Sequence, residues 1–244
     1  MKPIVIVQHE ADTGPGHFET HLLQKNLPYQ MVRVYAGDPI PDSATTFAGI
    51  CSLGGSMSAN DDLPWIDAEI ALLRDAERHR VPIIGHCLGG QLLAKAFGAQ
   101  VTRNAMKEIG WSDVDVEDAE LAREWIGSEA SVELFQWHSD TFALPAGARR
   151  FLTSPLCANQ AFIIDRTDHA HLGMQFHVEM TPSLVNGWVG HPYGKSEIDQ
   201  AFERQGGTGV QRAEEIVVDL DQRTQRMSRI ADRIYRRWLR GVRE

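Results

Sequence analysis

Ile84-Gly85-His86-Cys87-Leu88-Gly89-Gly90-Gln91 decides how this chain folds. The apolar run at 81–84 reads as a buried strand, and 88–97 reads as a helix, with Cys87 at the turn between them. Gly85 leaves room where the strand ends, and Gly89 lets the helix begin close to the sheet. A residue at such a turn sits in strained backbone and is held up for attack, as in a nucleophile elbow. The N–H groups at the start of the helix favour its thiolate. Cys87 is therefore the candidate nucleophile.

The same alternation continues on either side. Strands are expected at 4–7, 29–34 and 49–53, and helices at 18–26 and 65–78, where Ile66, Ile70 and Leu73 recur at helical spacing. Strands followed by helices predict a mostly parallel sheet covered on both faces. Beyond Gly98, which suits a helix end, the order changes. Val101, 114–116 and 132–137 read as short strands separated by turns, a small antiparallel extension. Segments 161–164 and 171–176 read as a hairpin around Asp165-Arg166-Thr167-Asp168 that returns the chain to the Cys87 edge. A helix at 221–239 would set Met227, Ile230, Ile234 and Trp238 on one face, docked on the body; a homodimer or partner interface there stays open. A single domain accounts for the whole pattern.

A formal charge of -9 argues against nucleic acid or an anionic membrane as the main partner. The apolar run after Met1 is too short for a signal-peptide core, and Gln8-His9-Glu10 closes it. No segment approaches a membrane span, so a cytoplasmic protein is expected. Cys51, Cys87 and Cys157 form neither a disulfide framework nor a metal-ligand cluster; Cys51 and Cys157 read as structural. His169 and His171 flank Ala170 like a metal pair, but no carboxylate or cysteine is spaced to join them, so no metal is expected. The chain has no phosphate-cradling G-x-x-x-x-G-K-S/T loop, and no cofactor is expected.

A second segment supplies what Cys87 needs. In Gly173-Met174-Gln175-Phe176-His177-Val178-Glu179, His177 is the preferred general base. Glu179, two residues on, falls on the same side of an extended chain and can orient the imidazole. Other histidines compete. His86 adjoins the nucleophile and either tunes the site or packs against a neighbouring strand. His138 could line the pocket or replace His177, and His9 and His17 fall near the same sheet edge. The loop Gly54-Gly55-Ser56-Met57 follows a strand, and the N–H groups of Gly55 and Leu88 are candidate donors to a developing oxyanion.

With these motifs in order, the chain resembles the class I glutamine amidotransferases, in particular stand-alone proteins related to the amidotransferase domain of GMP synthase. The nucleophile motif G-x-C-x-G-x-Q stands at Gly85 to Gln91, and Q-F-H-P-E stands as Gln175-Phe176-His177-Val178-Glu179. The oxyanion loop matches Ser52 to Ser58; Glu108-Ile109-Gly110-Trp111 and Trp137-His138-Ser139-Asp140 match internal segments. The likeness covers residues 1–191, with 192–244 as a helical extension packed on the same domain. It implies a flavodoxin-like sheet and hydrolysis of a γ-carboxamide, with Cys87 as nucleophile, His177 as base and Glu179 as orienting carboxylate. It places Gln91, His138, Ser139 and Asp140 around the amino-acid end of glutamine or a small γ-glutamyl substrate. An ammonia-accepting synthetase is the implied partner. Three residues depart from the family pattern: His86 for an apolar residue, Gly90 for a frequent histidine and Val178 for proline. Two alternatives stand beside this reading, a γ-glutamyl peptidase or hydrolase and a non-catalytic binding or regulatory protein.

Overall fold

Nine strands form one sheet in a computed structural model of the chain, which describes residues 1–242. In chain order the elements are β1 (Ile4–Gln8), α1 (Gly16–Gln24), β2 (Tyr29–Arg33), β3 (Gly49–Ser52), α2 (Pro64–Arg78), β4 (Ile83–His86) and α3 (Leu88–Ala96). There follow β5 (Val101–Val116), α4 (Ala119–Trp125), β6 (Ser131–Phe142), β7 (Arg149–Thr153), β8 (Ala161–Asp165) and β9 (Ala170–Met174). The remainder is helical: α5 (Pro182–Gly190), α6 (Pro192–Gln205), α7 (Ala213–Ile216) and α8 (Leu220–Trp238).

The strand order is β2-β1-β3-β4-β9-β8-β7-β5-β6. The pairings from β2 to β9 are parallel, and those from β9 to β6 are antiparallel. This is the flavodoxin-like sheet expected, parallel across β2-β1-β3-β4-β9 and with helices on both faces. The period of two sorts the core. Ile4 and Ile6 of β1 face the layer of α1 and α8, while Val5 faces the layer of α2 and α3. Ligands of such sheets bind beyond the carboxyl ends of the strands, which is where β1, β3, β4 and β9 converge.

The helix expected at 221–239 is α8. Met227, Ile234 and Trp238 are buried, and Ile230 is partly buried against the same core. Trp238 packs over Gly49, where a Cβ would lie 2.8 Å from the indole ring, and meets Phe18 edge-on with centroids 5.9 Å apart. Trp238→Ala should therefore cost about 3–5 kcal/mol of stability in urea unfolding. A loss within the roughly 0.5 kcal/mol typical of surface positions would show that α8 is not docked.

Three expectations need correction. Val101 and 114–116 belong to one strand, β5, whose pairing with β6 breaks register between Arg103 and Glu108. The polar Thr102-Arg103-Asn104 stretch and Gly110, at φ +107°, interrupt its apolar pattern, so it reads as pieces. Strand β7 and helix α4 have no counterpart among the expected elements. The former opens with Arg149 and Arg150, which pair with Asp118 and Glu117, and the latter is too short to show a period. The strand placed at 81–84 is shifted: β4 ends on His86, so His86 sits in the sheet directly before Cys87.

Among the described residues no helix is long and apolar enough to cross a membrane.

Candidate active site

Cys87 leaves β4 with φ +48° and forms the N-cap of α3. Its N–H donates to the Met174 carbonyl at 2.9 Å, and Gly89 N–H donates to the Leu53 carbonyl at 3.1 Å, so the turn is tied to both flanking strands. A Cβ on Gly89 would run into the Ser52 carbonyl, and one on Gly90 into Met174. The frequent histidine cannot fit at position 90 while α3 lies this close to β9.

His177 follows β9 and bridges to β6, its N–H donating to the Phe135 carbonyl at 2.9 Å. Its Nδ1 lies 2.6 Å from Glu179 Oε1, and it shares the cleft wall with Cys87, whose Sγ lies 3.7 Å from the Trp137 carbonyl oxygen and accepts from Gln175 Nε2 at 3.6 Å. Trp188 meets the imidazole edge-on, with centroids 5.0 Å apart. Burial opposes a charge on His177, but Glu179 and Cys87 outweigh it and raise the imidazole to about 10. Burial alone would push Glu179 up; His177 and His86 pull it below the usual carboxylate range.

A second cysteine–histidine pair backs onto the same carboxylate. Cys51 Sγ is 3.8 Å from His86 Nδ1, and His86 Nε2 is 3.8 Å from Glu179 Oε2. Both residues are fully buried in the sheet; burial drives the Cys51 thiol well above its ordinary value and the His86 imidazole below its own. Neither lines the cleft over Cys87. Only the Cys87–His177 pair of this Cys-His-Glu network faces space a substrate can enter.

That cleft measures about 590 Å³. Cys87, His177, Gly55, Gln91, His138, Ser139 and Asp140 all line it. Leu88 is buried, and Glu179 stands behind His177. Gln91 Nε2 donates to the Asp140 carbonyl at 3.2 Å and to Gln175 Oε1 at 3.3 Å. Asp140 accepts from Ser58 Oγ at 2.7 Å. His138 bonds the Asp140 carbonyl through Nδ1 and Glu108 through Nε2, both at 3.0 Å, so its ring nitrogens are engaged away from Cys87. His17 is not at the cleft but pairs with Asp232 of α8. A larger depression of about 670 Å³, lined by Phe202 and Arg223 among others, contains neither cysteine nor histidine.

Several wall residues escape sequence reasoning. Glu10, Asp12 and Thr13 enter from the loop after β1, and Trp188, Tyr193 and Glu197 from α5 and α6. Glu197 accepts from Trp137 Nε1 at 2.7 Å and pairs with Lys107, joining α6 to the strand that carries His138. The one signal for the β1 loop is the polar Gln8-His9-Glu10 that ends an apolar run.

The histidine pair also needs correcting, because α2 does supply a carboxylate. His171 Nε2 lies 2.7 Å from Glu77 Oε2, with His169 Nε2 4.0 Å from the same oxygen. Ile83 N–H donates to His171 Nδ1 at 3.1 Å, which leaves the ring proton on Nε2, directed at Glu77. The nitrogen nearest the carboxylate is thus a donor, and the cluster ties α2 to β9. In the buried Glu108, His138 and Cys157 group, burial pushes the Cys157 thiol up to about 11.

Comparison with known proteins agrees with this geometry. Residues 18–187 match the family model for glutamine amidotransferase class-I. A protein of Salmonella typhimurium named as glutamine amidotransferase-like, YfeJ, is 30% identical over 191 residues, 76% of this chain and 79% of the relative. A glutamine-hydrolysing GMP synthase subunit of Sulfolobus acidocaldarius is 26% identical over 162 residues, 66% of this chain and 83% of the relative. The crystal structure of a glutamine amido transferase from Methylobacillus flagellatus superposes with a TM-score of 0.94 at 43% identity, over 100% of this chain and 96% of that one. From the elbow, the cysteine–histidine–glutamate network and the family match over most of its length, the chain belongs to the class I glutamine amidotransferases, cysteine-dependent amidohydrolases related to the amidotransferase domains of GMP synthases.

Proposed function

We propose that Cys87 hydrolyses the γ-carboxamide of glutamine, or of a small γ-glutamyl compound, through a thioester. The observation that carries this is His177, held by Glu179 at 2.6 Å and sharing the wall of an open cleft with Cys87. Sγ attacks the amide carbon, and the proton it loses passes through His177 to the leaving nitrogen as the C–N bond breaks. Ammonia or an amine departs. His177 then deprotonates a water that cleaves the thioester, releasing glutamate and restoring the thiol. Glu179 keeps the imidazole oriented and stabilises its charged form. The N–H groups of Gly55 and Leu88 receive the oxyanion; Leu88, first residue of α3, has no acceptor within its helix. Gln91, His138, Ser139 and Asp140 surround the amino-acid end.

This reading takes residues 1–191 as the amidotransferase unit and 192–244 as an extension of the same domain, which supplies cleft wall through Tyr193 and Glu197. The likeness to a GMP synthase component supports an ammonia-accepting synthetase as partner. Three free cysteines suit a reducing, cytoplasmic setting. A second reading, a substituted γ-glutamyl amide, is favoured by size: about 590 Å³ falls among cavities of roughly 300–1,000 Å³ that take drug-sized ligands, more than one amino acid needs. The test is a mass-spectrometric screen of glutamine and diverse γ-glutamyl amides. A γ-glutamyl adduct on Cys87 with ammonia from glutamine supports the first reading, and preference for substituted amides selects the second. No adduct and no release from any of them would overturn both.

A further inference from the structure

Another buried histidine–carboxylate pair lies behind the Gly54–Gly55 turn and takes no part in the chemistry above. His9, just past β1, contacts the Gly54 carbonyl through Nδ1 at 3.1 Å and Glu69 Oε2 of α2 through Nε2 at 2.8 Å. Glu69 Oε1 accepts from Ser52 Oγ at 2.6 Å, and Trp65 stacks on the His9 ring with centroids 4.9 Å apart. The side chains of His9 and Glu69 are fully inaccessible. A carbonyl only accepts, so His9 Nδ1 carries a proton and donates. Burial opposes its charge, yet Glu69 and the Gly54 carbonyl raise the imidazole above its ordinary value.

The turn needs this support. Position 54 must be glycine, because a Cβ there would lie 2.7 Å from His177 Cε1. Two consecutive glycines leave the intervening peptide plane without side chains to fix it. In a planar trans peptide the carbonyl of Gly54 and the N–H of Gly55 point in opposite directions. Holding the carbonyl against His9 therefore aims the Gly55 N–H away from His9. A half-turn of that plane would put a carbonyl where a donor is needed.

We propose that His9, braced by Glu69 and Ser52, is a positioning residue that holds the Gly54–Gly55 peptide with its N–H toward the reacting oxygen. The inference rests on Gly55 as an oxyanion donor and concerns what fixes it there. His9→Gln keeps a donor toward Glu69 but loses the one toward Gly54, whereas His9→Asn can place an amide N–H near the Nδ1 position. In His9→Gln, kcat for glutamine hydrolysis should fall about 10- to 100-fold, somewhat less than deleting an oxyanion donor outright. KM should stay within about twofold. Alkylation of Cys87 by iodoacetamide, a displacement that develops no oxyanion, should keep its rate. Hydrogen exchange across residues 53–58 should quicken. His9→Asn should recover roughly tenfold of the lost kcat.

An unchanged kcat in His9→Gln, or alkylation falling in step with kcat, would overturn the proposal. If the wild-type protein releases neither ammonia nor an amine from any amide, the substrate reading fails, and exchange then decides alone: faster exchange in His9→Gln sustains the pinning, and unchanged exchange refutes it.

Discussion

Cys87→Ala should lower amide hydrolysis at least about 10⁴-fold, to the residue of rate that binding and oxyanion donors alone supply. The size follows from the pathway. Without Sγ no thioester forms, and water must attack the amide directly. Alanine keeps the Cβ that the elbow already accommodates at φ +48°, so the fold should persist. Cys51→Ala is the informative contrast, since it removes the thiol that also neighbours a histidine and Glu179. That variant should retain turnover and lose some stability. Ammonia release from purified proteins of matched circular dichroism separates the two. Full activity in Cys87→Ala, or its collapse in Cys51→Ala, would move the chemistry to the wrong side of the sheet for the cleft.

Glu179→Gln comes second in expected size, a fall of about 10²- to 10⁴-fold in kcat, because the amide permits the wrong imidazole tautomer and stabilises no charge. It also predicts a change with pH. Glu179 and Cys87 hold His177 up to about 10 against burial. Without the carboxylate, burial acts with less opposition and His177 loses its proton at lower pH. The alkaline limb of the rate profile should move down by roughly one unit or more. Stability follows the same sign. A raised imidazole value stabilises the fold fully below its unfolded value of about 6.5, and that contribution is lost as pH rises through about 10. Wild type and Glu179→Gln should thus differ most below pH of about 6.5 and converge in alkali. A limb that stays in place would show that Glu179 does not govern the His177 proton.

The parallel half of the sheet was legible because β1, β3, β4 and β9 are buried on both faces, and its strands are bounded by glycine, proline or a charged turn. The elbow was legible because strand, cysteine and glycines are contiguous. In the antiparallel half the β8–β9 hairpin and β6 were legible too, but the full β5 and β7 were not, since they carry Thr102, Arg103, Arg149 and Arg150 in places where periodicity needs apolar residues. At the site, Cys87, His177 and Glu179 announce themselves by motif. His9 and Glu69 meet across 60 positions of sequence, and Glu77 and His171 across 94. No local pattern reveals such pairs. Tertiary folding alone brings them together.

The docking of α8 has a consequence for how the protein is made. Tyr235 Oη lies 3.3 Å from His86 Nε2, and His86 backs onto Glu179. Cys87, His177 and Glu179 all precede Tyr235 and Trp238 in the chain. On the ribosome, a nascent polypeptide therefore displays Cys87, His177 and Glu179 before the helix that backs His86 behind them has emerged. Until that helix docks, water reaches the back of Glu179 and screens the field that keeps His177 charged. An unfinished chain therefore holds these three residues without the wall that α8 supplies.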